Sequence, residues 1–390
     1  MNQRRQNTKK ILFVVPGLPV GGAEMMLLKL LNGLDRDRFE PVVLSLTSVG
    51  LVGRSIADLG LRVVHLNIPP GRISIRGLWS LRNFIKAEGP DLLQGWMYHG
   101  NLAAHVASLL LSDPPPVVWS IRGTHTDLEN EKLQTAATIW LCAHLSSRAA
   151  AIINNSRVSA AAHANLLGYS RSNVVIIPNG FDTNTFRPDD EAKASVRALL
   201  GAHEDTLLIG LVGRVEPVKD HSTFLRAAAL VKGRFPHARF VLIGQGADIS
   251  NAQLMSVIGD CGLEGAVHLL GLRNDLPQLT AALDLTVLSS VSEGFPNVLG
   301  EAMSCGICAV STAAGDAAWI IGNTGAVVPP RRPDSLARAM DRILSMEPEQ
   351  RRNLGRLGRA RVIEHFSLYS VVRQYEALYE RLLLPTPMEV

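Results

Sequence analysis

A chain of 390 residues with 47% hydrophobic, 19% charged and 5% aromatic residues can fill two sizeable cores of ordinary α/β composition. Its net charge of +4 argues against a general nucleic-acid binder, because Arg4, Arg5, Lys9 and Lys10 supply four positives and leave the remainder close to neutral. No run approaches the roughly 18 apolar residues of a membrane-spanning helix, and four cysteines agree with a reducing compartment.

In chain order, the basic start and the run ILFVV imitate a secretory signal, but Pro16, Gly17 and Pro19 break the run too early. The expected location is therefore the cytoplasm, with the inner face of the cytoplasmic membrane as its limit. The basic tail reads as a solvated end, with contact to an anionic membrane as the functional alternative. KKILFVVP, PVVLSL, LRVVHL, PDLLQGW, PVVWSI, AAIINNS and NVVIIPNG predict seven short buried strands of a parallel sheet. AEMMLLKLLNGL and IRGLWSLRNFIKAEG carry helical periodicity between them.

The first loop, PGLPVGGAE, places Gly21 and Gly22 at a helix start. Such glycines bring backbone N–H groups close to a phosphate or a sugar, or else serve only the φ/ψ of a tight βα turn. Its spacing is not G-x-G-x-x-G, and Gly244-Gln245-Gly246 reaches Ile249 where a third glycine belongs, so NAD binding is disfavoured. No P-loop motif occurs either. His99 and His125 each follow a predicted strand, where side chains line the crevice of such sheets, and Arg122 and Asp127 flank the second. His105, His144 and His163 fall in helical stretches and read as structural.

After the aperiodic, turn-rich PNGFDTNTFRPDD the alternation restarts with LLIGLVGR, ARFVLIG, AVHLLG, LDLTVLSS, ICAVST and GAVVPP. Two such series predict two doubly wound domains, 1–182 and 183–366, facing across a cleft. A last amphipathic helix, 367–388, is expected to cross back to the first. Arg214 and Lys219 stand five apart, just before a helix. Glu293 and Glu301 bracket EGFPNVLGE, where Pro296 marks a first helical turn and Cys305-Gly306 a stop. That interval covers at most roughly 12 Å at about 1.5 Å per residue, the scale of a sugar-diphosphate-ribose run laid along a helix start. The start attracts an anion, and a carboxylate at either end accepts hydroxyl hydrogen bonds. Cys305 and Cys308 form a lone C-x-x-C at a helix end and read as structural. No metal-ligand cluster with recognisable spacing and no D-x-D pair in a strand-end loop is present, so neither a metal nor another cofactor is expected.

GRVEPVKD, VLIGQG, EGFPNVLGEAMSCG, a Gly-Asp turn and the Gly325 to Pro330 close together resemble the donor-binding half of the retaining glycosyltransferases of family 4, which have the α/β GT-B fold. The resemblance covers nearly all of the chain. It implies that Arg214 and Lys219 hold the donor diphosphate, that Glu301 binds ribose, and that Glu293 sits by the donor sugar. Gly21, Gly22, Gly294, Phe295, Asn297 and Val298 would complete the donor contacts, with Gly315 and Asp316 as further backbone contacts. A histidine of the first domain, His125 or His99, would stand near the reacting sugar. Departures are Cys308, where relatives commonly place proline, and Ala317-Ala318-Trp319, where many have a glutamate. The implied activity is sugar transfer from a nucleoside diphosphate sugar, uridine favoured over guanosine, to a glycan or polyprenyl-diphosphate-linked acceptor in cell-surface polysaccharide synthesis. The alternatives on this architecture are a nucleotide-sugar epimerase or hydrolase and a non-catalytic nucleotide-sugar-binding subunit.

Overall fold

Uninterrupted apolar runs fix the architecture, since a strand whose every residue is buried must be covered on both faces. The computed structural model describes residues 8–69, 74–123, 128 and 131–384. Each of the thirteen predicted strands forms, and all pair in parallel. The chain divides into two compact units, Met1–Gly180 with Val371–Val390, and Phe181–Ser370.

The first unit contains, in order, β1 (Lys9–Val15), α1 (Gly22–Gly33), β2 (Phe39–Ser45), α2 (Gly50–Asp58), β3 (Arg62–His65), α3 (Ile75–Glu88), β4 (Leu92–Gly95), α4 (Met97–Ser108), β5 (Val117–Ile121), α5 (Leu133–Leu145), β6 (Ala151–Asn154), α6 (Arg157–Leu167) and β7 (Val174–Ile176). Its sheet order is β3-β2-β1-β4-β5-β6-β7. Local signals place the helix ends: Ser74 caps α3 by accepting from the Gly77 N–H at 3.0 Å, and Gly89 ends it in the left-handed region. Ser156 and Gly168 do the same for α6.

The second unit contains α7 (Asp190–Leu199), β8 (Leu208–Val212), α8 (His221–Arg234), β9 (Arg239–Ile243), α9 (Ala252–Asp260), β10 (Val267–Leu269), α10 (Leu276–Ala281), β11 (Leu285–Leu288), α11 (Asn297–Ser304), β12 (Cys308–Thr312), α12 (Ala317–Ile321), β13 (Gly325–Val328), α13 (Pro333–Leu344) and α14 (Pro348–Phe366). The sheet order is β10-β9-β8-β11-β12-β13. Its main core packs Phe224 of α8 and Met340 of α13 against Phe240, Leu285 and Val310 of the strands.

A final helix, α15 (Leu368–Leu383), packs from Val371 onward with the first unit. Glu376 is 2% exposed and accepts from the Asp35 N–H at 2.9 Å, from Arg38 Nη1 at 3.2 Å and from Arg373 Nη1 at 3.0 Å. Tyr379 donates from its hydroxyl to Gln94 Oε1 at 3.1 Å. A Cβ on Gly33 would lie 2.9 Å from Val372 Cγ2, so α15 packs directly on the end of α1. A buried carboxylate taking three hydrogen bonds cannot be lost cheaply, although Arg38 and Arg373 are partly exposed and can turn to water. Glu376→Ala is expected to lower stability by about 1–3 kcal/mol, read from the urea midpoint at unchanged slope. An unchanged midpoint would show that α15 is held by its apolar face alone.

Candidate active site

In an open parallel sheet the crevice forms where the connections leave in opposite directions, and in the second unit that point lies between β8 and β11. After β8 the chain runs through Gly213 and Arg214 into a single 3₁₀ turn, Pro217–Lys219. Asp220 then caps α8 from the left-handed region, its carboxylate accepting from the Thr223 N–H at 3.1 Å. The loop after β11 is fastened to this turn through the backbone. Val291 N–H donates to the Val218 carbonyl and Ser289 Oγ to the Lys219 carbonyl, both at 2.8 Å.

That fastening brings the predicted cation and carboxylate together. Lys219 Nζ donates to Glu293 Oε1 at 2.6 Å, and Ser290 Oγ donates to the same oxygen at 2.7 Å. The two side chains are 20% and 14% exposed, so the pair is shielded yet open to a ligand. Beneath it lies the turn between β12 and α12. Gly315 sits at φ +54°, and a Cβ there would come within 2.4 Å of the Glu293 and Gly294 carbonyl oxygens. The Asp316 N–H donates to the Gly294 carbonyl at 3.0 Å. This corrects one expectation: the backbone of Asp316 supports the Glu293 loop, and its N–H is already engaged there. Gly244, after β9, is required for the same kind of reason, since its Cβ would stand 2.1 Å from the Gly213 carbonyl oxygen.

Pro296 is the N-cap residue of α11, one position before the expected first turn, with Glu293 in the loop ahead and partly buried Glu301 on the helix. The positive end of the α11 dipole therefore lies just after the loop that carries Glu293. The Phe295 ring is 7% exposed and packs against Phe181, Trp319 and Phe366, so what it offers at the helix start is backbone. Val298 packs on the same cluster. Gly294 and Asn297 flank the cap. Arg214 is not gathered into the pair: its side chain is 65% exposed and its Nη1 lies 2.9 Å from Glu216 Oε1.

Two residues that sequence reasoning missed complete the second unit's site. Ser290 shares the Glu293 oxygen; the only hint of it was a Ser-Ser pair closing a buried apolar run. His221 opens α8 at 5% exposure, and burial, then the neighbouring Lys219 cation, pull its pKa down to about 4. It is neutral at physiological pH and leaves Lys219 as the cation of that turn.

The first unit has a corresponding crevice between β1 and β4. Gly21 is the extended N-cap residue of α1 and Gly22 its first helical residue. A Cβ on Gly21 would lie 2.3 Å from Glu24 Oε2, so the Glu24 carboxylate folds back against the helix start, where burial raises its pKa. Trp96 Nε1 donates to the Ala23 carbonyl at 3.1 Å and joins the end of β4 to that turn. His99 is the third residue of α4, and burial lowers its pKa. Arg122 lies over the Trp96 ring at 4.4 Å and donates to Ser120 Oγ and Asn179 Oδ1, each at 3.0 Å, and to the Tyr375 hydroxyl. Burial brings its guanidinium down to about 9. His125 and Asp127 lie outside the described residues. His105, His144 and His163 are helical, and His163 Nε2 meets the Tyr98 hydroxyl at 2.7 Å.

Residues 20–185 match the family described as Glycosyltransferase Family 4, and residues 206–346 match that described as Glycosyl transferases group 1. The chain belongs to this family of GT-B glycosyltransferases. Among curated proteins it is similar to EpsF of Bacillus subtilis, named as a glycosyltransferase, at 27% identity over 78% of this chain and 79% of that one. It is also 27% identical to the Escherichia coli UDP-Gal:alpha-D-GlcNAc-diphosphoundecaprenol alpha-1,3-galactosyltransferase, over 62% of this chain and 63% of that one. In fold it is similar to Anabaena HepE solved with UDP, with a TM-score of 0.82 and 24% identity, covering 95% of this chain and all of that one.

The depressed pKa of His221 has a consequence for stability. An unfolded chain holds this imidazole near 6.5 and the folded chain near 4, so between those values only the unfolded chain takes up the proton. The associated stability is fully present above about pH 6.5 and is lost as pH falls toward 4, by roughly 3 kcal/mol at most. Urea midpoints at pH 7.5 and pH 5 should therefore differ less in His221→Gln than in the parent, after buffer effects common to both are subtracted. Equal differences would assign the acid sensitivity to other groups.

Proposed function

We propose that this glycosyltransferase moves a sugar, with retention, from a uridine diphosphate sugar to a hydroxyl of a glycan or polyprenyl-diphosphate-linked acceptor in cell-surface polysaccharide synthesis, at the inner face of the cytoplasmic membrane. The observation that carries this reading is the Lys219–Glu293–Ser290 cluster at the β8/β11 crevice beside the start of α11. The printed activity of the galactosyltransferase relative, with its UDP-linked donor and diphosphoundecaprenol-linked acceptor, supports the substrate class. A HepE structure with UDP-glucose supports the donor.

An ammonium has three N–H donors, and Lys219 commits one to Glu293. The others are available to diphosphate oxygens. Glu293 Oε1 takes two hydrogen bonds, which fixes the carboxylate and directs Oε2 to a hydroxyl of the donor sugar. Glu301, on α11, accepts the ribose hydroxyls. Gly294, Asn297 and Val298, with the backbone of Phe295, bring the helix start against the diphosphate. Arg214, on an exposed and easily broken pair with Glu216, swings to the same diphosphate. In the reaction the bond from the anomeric carbon to the diphosphate oxygen breaks. The acceptor oxygen bonds to that carbon on the same face, and its proton passes to the departing diphosphate. The protein stabilises the charge that develops on the leaving group, with its own cations rather than a divalent ion in that role. In the first unit, Gly21 and Gly22 bring the backbone close to the sugars. Because Glu24 already occupies the start of α1, that loop favours neutral hydroxyls over a phosphate. His99 and His125 are assigned to hydroxyl contacts there.

Labelled donor panels, offered with and without a membrane lipid extract, test the reading. Transfer that needs an acceptor and persists in EDTA supports it; free sugar, an isomerised donor or binding without turnover would replace it. Lys219→Ala and Arg214→Ala should each lower turnover by about 10²- to 10³-fold. Ser290→Ala, which removes one neutral hydrogen bond from Glu293, should cost only about five- to tenfold. The product should keep the donor's anomeric configuration by NMR, and an inverted product or a covalent adduct on Glu293 by mass spectrometry would rule the mechanism out. Glu301→Ala should weaken nucleoside diphosphate binding at least about tenfold by calorimetry, as loss of a charged hydrogen bond requires. An unchanged constant would remove Glu301 from the ribose site.

A further inference from the structure

Arg122 directly follows β5, at the end of the first unit's sheet where ligands bind in folds of this kind. It is half-buried, and its guanidinium keeps its charge at neutral pH. The groups that hold it are all neutral. Ser120 Oγ, Asn179 Oδ1 and the Tyr375 hydroxyl accept from it, and the Trp96 and Tyr375 rings face it at 4.4 and 5.7 Å. No carboxylate among the described residues pairs with it. Other inward arginines are satisfied differently. Arg197 meets Asp284 at 2.9 Å, and Arg361 donates to the Trp319 and Ile320 carbonyls at the end of α12, where the helix carries partial negative charge. Hydroxyls, amides and rings can accept from a guanidinium without cancelling its charge, so Arg122 is a shielded cation that the described residues do not neutralise.

The surroundings hold this cation in place. Asn101, 1% exposed, donates to the Ser120 carbonyl at 3.2 Å and accepts from the Ser120 N–H at 3.0 Å, and so fixes the end of β5 that leads into Arg122. On its other side the Gly123 carbonyl accepts from Ser159 Oγ at 3.1 Å. Met97, the residue after Trp96, sits at φ +59°, a conformation that a methionine adopts only where the surrounding packing imposes it. Trp96 itself reaches two ways: its Nε1 donates to the Ala23 carbonyl at the start of α1, and its ring lies under Arg122. A guanidinium has five N–H donors, and three are committed here. One N–H on each of Nη1 and Nη2 is left to meet an oxyanion.

We propose that Arg122 binds a phosphate of the acceptor, whose sugar lies at the Gly21–Gly22 loop. This rests on the reading of a polyprenyl-diphosphate-linked acceptor and names the residue that recognises its charge. The start of α1, the other anion-binding position at this crevice, already faces the Glu24 carboxylate, which leaves the phosphate to Arg122. Trp96 touches both positions, so the sugar and the phosphate would be held on one rigid support. A held guanidinium fixes the direction of an oxyanion as well as its charge, which orients the acceptor hydroxyl for transfer.

Calorimetry with inorganic pyrophosphate on the full-length protein, with UDP already saturating, tests this without any transfer reaction, so it can fail while the reading of the acceptor stands. Pyrophosphate should bind beside UDP and raise the urea midpoint of the parent. Arg122→Gln should weaken that binding at least about tenfold and remove the rise in midpoint, with UDP bound as in the parent. Arg122→Lys keeps the charge but loses the planar fork, and should retain part of the affinity. Equal losses in the two variants would mean that Arg122 serves only the packing of β5 against α15, and would overturn the proposal. Glucuronate, which offers a carboxylate in place of a phosphate, should bind more weakly than pyrophosphate; equal affinity would overturn the assignment of a phosphate. A parent with no pyrophosphate site beside UDP, or an Arg122→Gln variant that binds pyrophosphate as the parent does, would sink the idea. So would weaker UDP binding in Arg122→Gln, since the cation would then belong to the donor.

Discussion

The Lys219–Glu293 contact depends on two loops that are far apart in sequence meeting at one point of a sheet. Parallel strands can only be joined by crossovers, and where crossovers depart to opposite sides no helix covers the strand ends. Between β8 and β11 that uncovered point receives an ammonium from one loop and a carboxylate from the other. Neither group is stable there alone, because a partly buried charge without a partner retains most of its desolvation cost. Much of the surrounding detail is explained by the need to keep the two together: the Asp220 cap, the Ser289 and Val291 ties, and a Thr312 hydroxyl on the Ser290 carbonyl at 2.5 Å. The left-handed Gly315 completes the set, since any side chain there would push the Glu293 loop upward.

The same topological feature serves a different end in the first unit. Its crevice is at β1/β4, but the Glu24 carboxylate folds back against the helix that starts there and Trp96 braces that turn, so the helix start already faces an acidic side chain. Basic character in this unit instead appears elsewhere. Arg122 is held between Trp96, Asn179 and Tyr375, with hydroxyl and amide partners, and burial weakens its basicity without removing its charge at neutral pH.

Position along the chain was legible in the residues, because it rests on local physics. Continuous apolar runs named all thirteen strands, since burial on both faces leaves no alternation to obscure them. Pro296 and Cys305-Gly306 placed the ends of α11 to within a residue, and with them the loop position of Glu293 and the helical position of Glu301. Spacing alone put Arg214 and Lys219 on the turn before α8. The order of those motifs also carried the family and the fold.

Which of those residues touch was decided only by tertiary structure. Arg214 and Lys219 look equivalent in sequence, yet the 3₁₀ turn and the Asp220 cap direct one to Glu293 and leave the other on Glu216. Ser290 has no local signature, because its role depends on the register between β11 and a loop about seventy residues earlier. Phe295 reads as part of a ligand-binding segment and is instead a core aromatic, a distinction made by Phe181, Trp319 and Phe366 arriving from three other segments. Burial of His221 is likewise a property of what packs nearby. Sequence fixes the order of donors and acceptors along the backbone, whereas partner choice depends on distances of a few ångströms that only the packed sheet and its crossovers set.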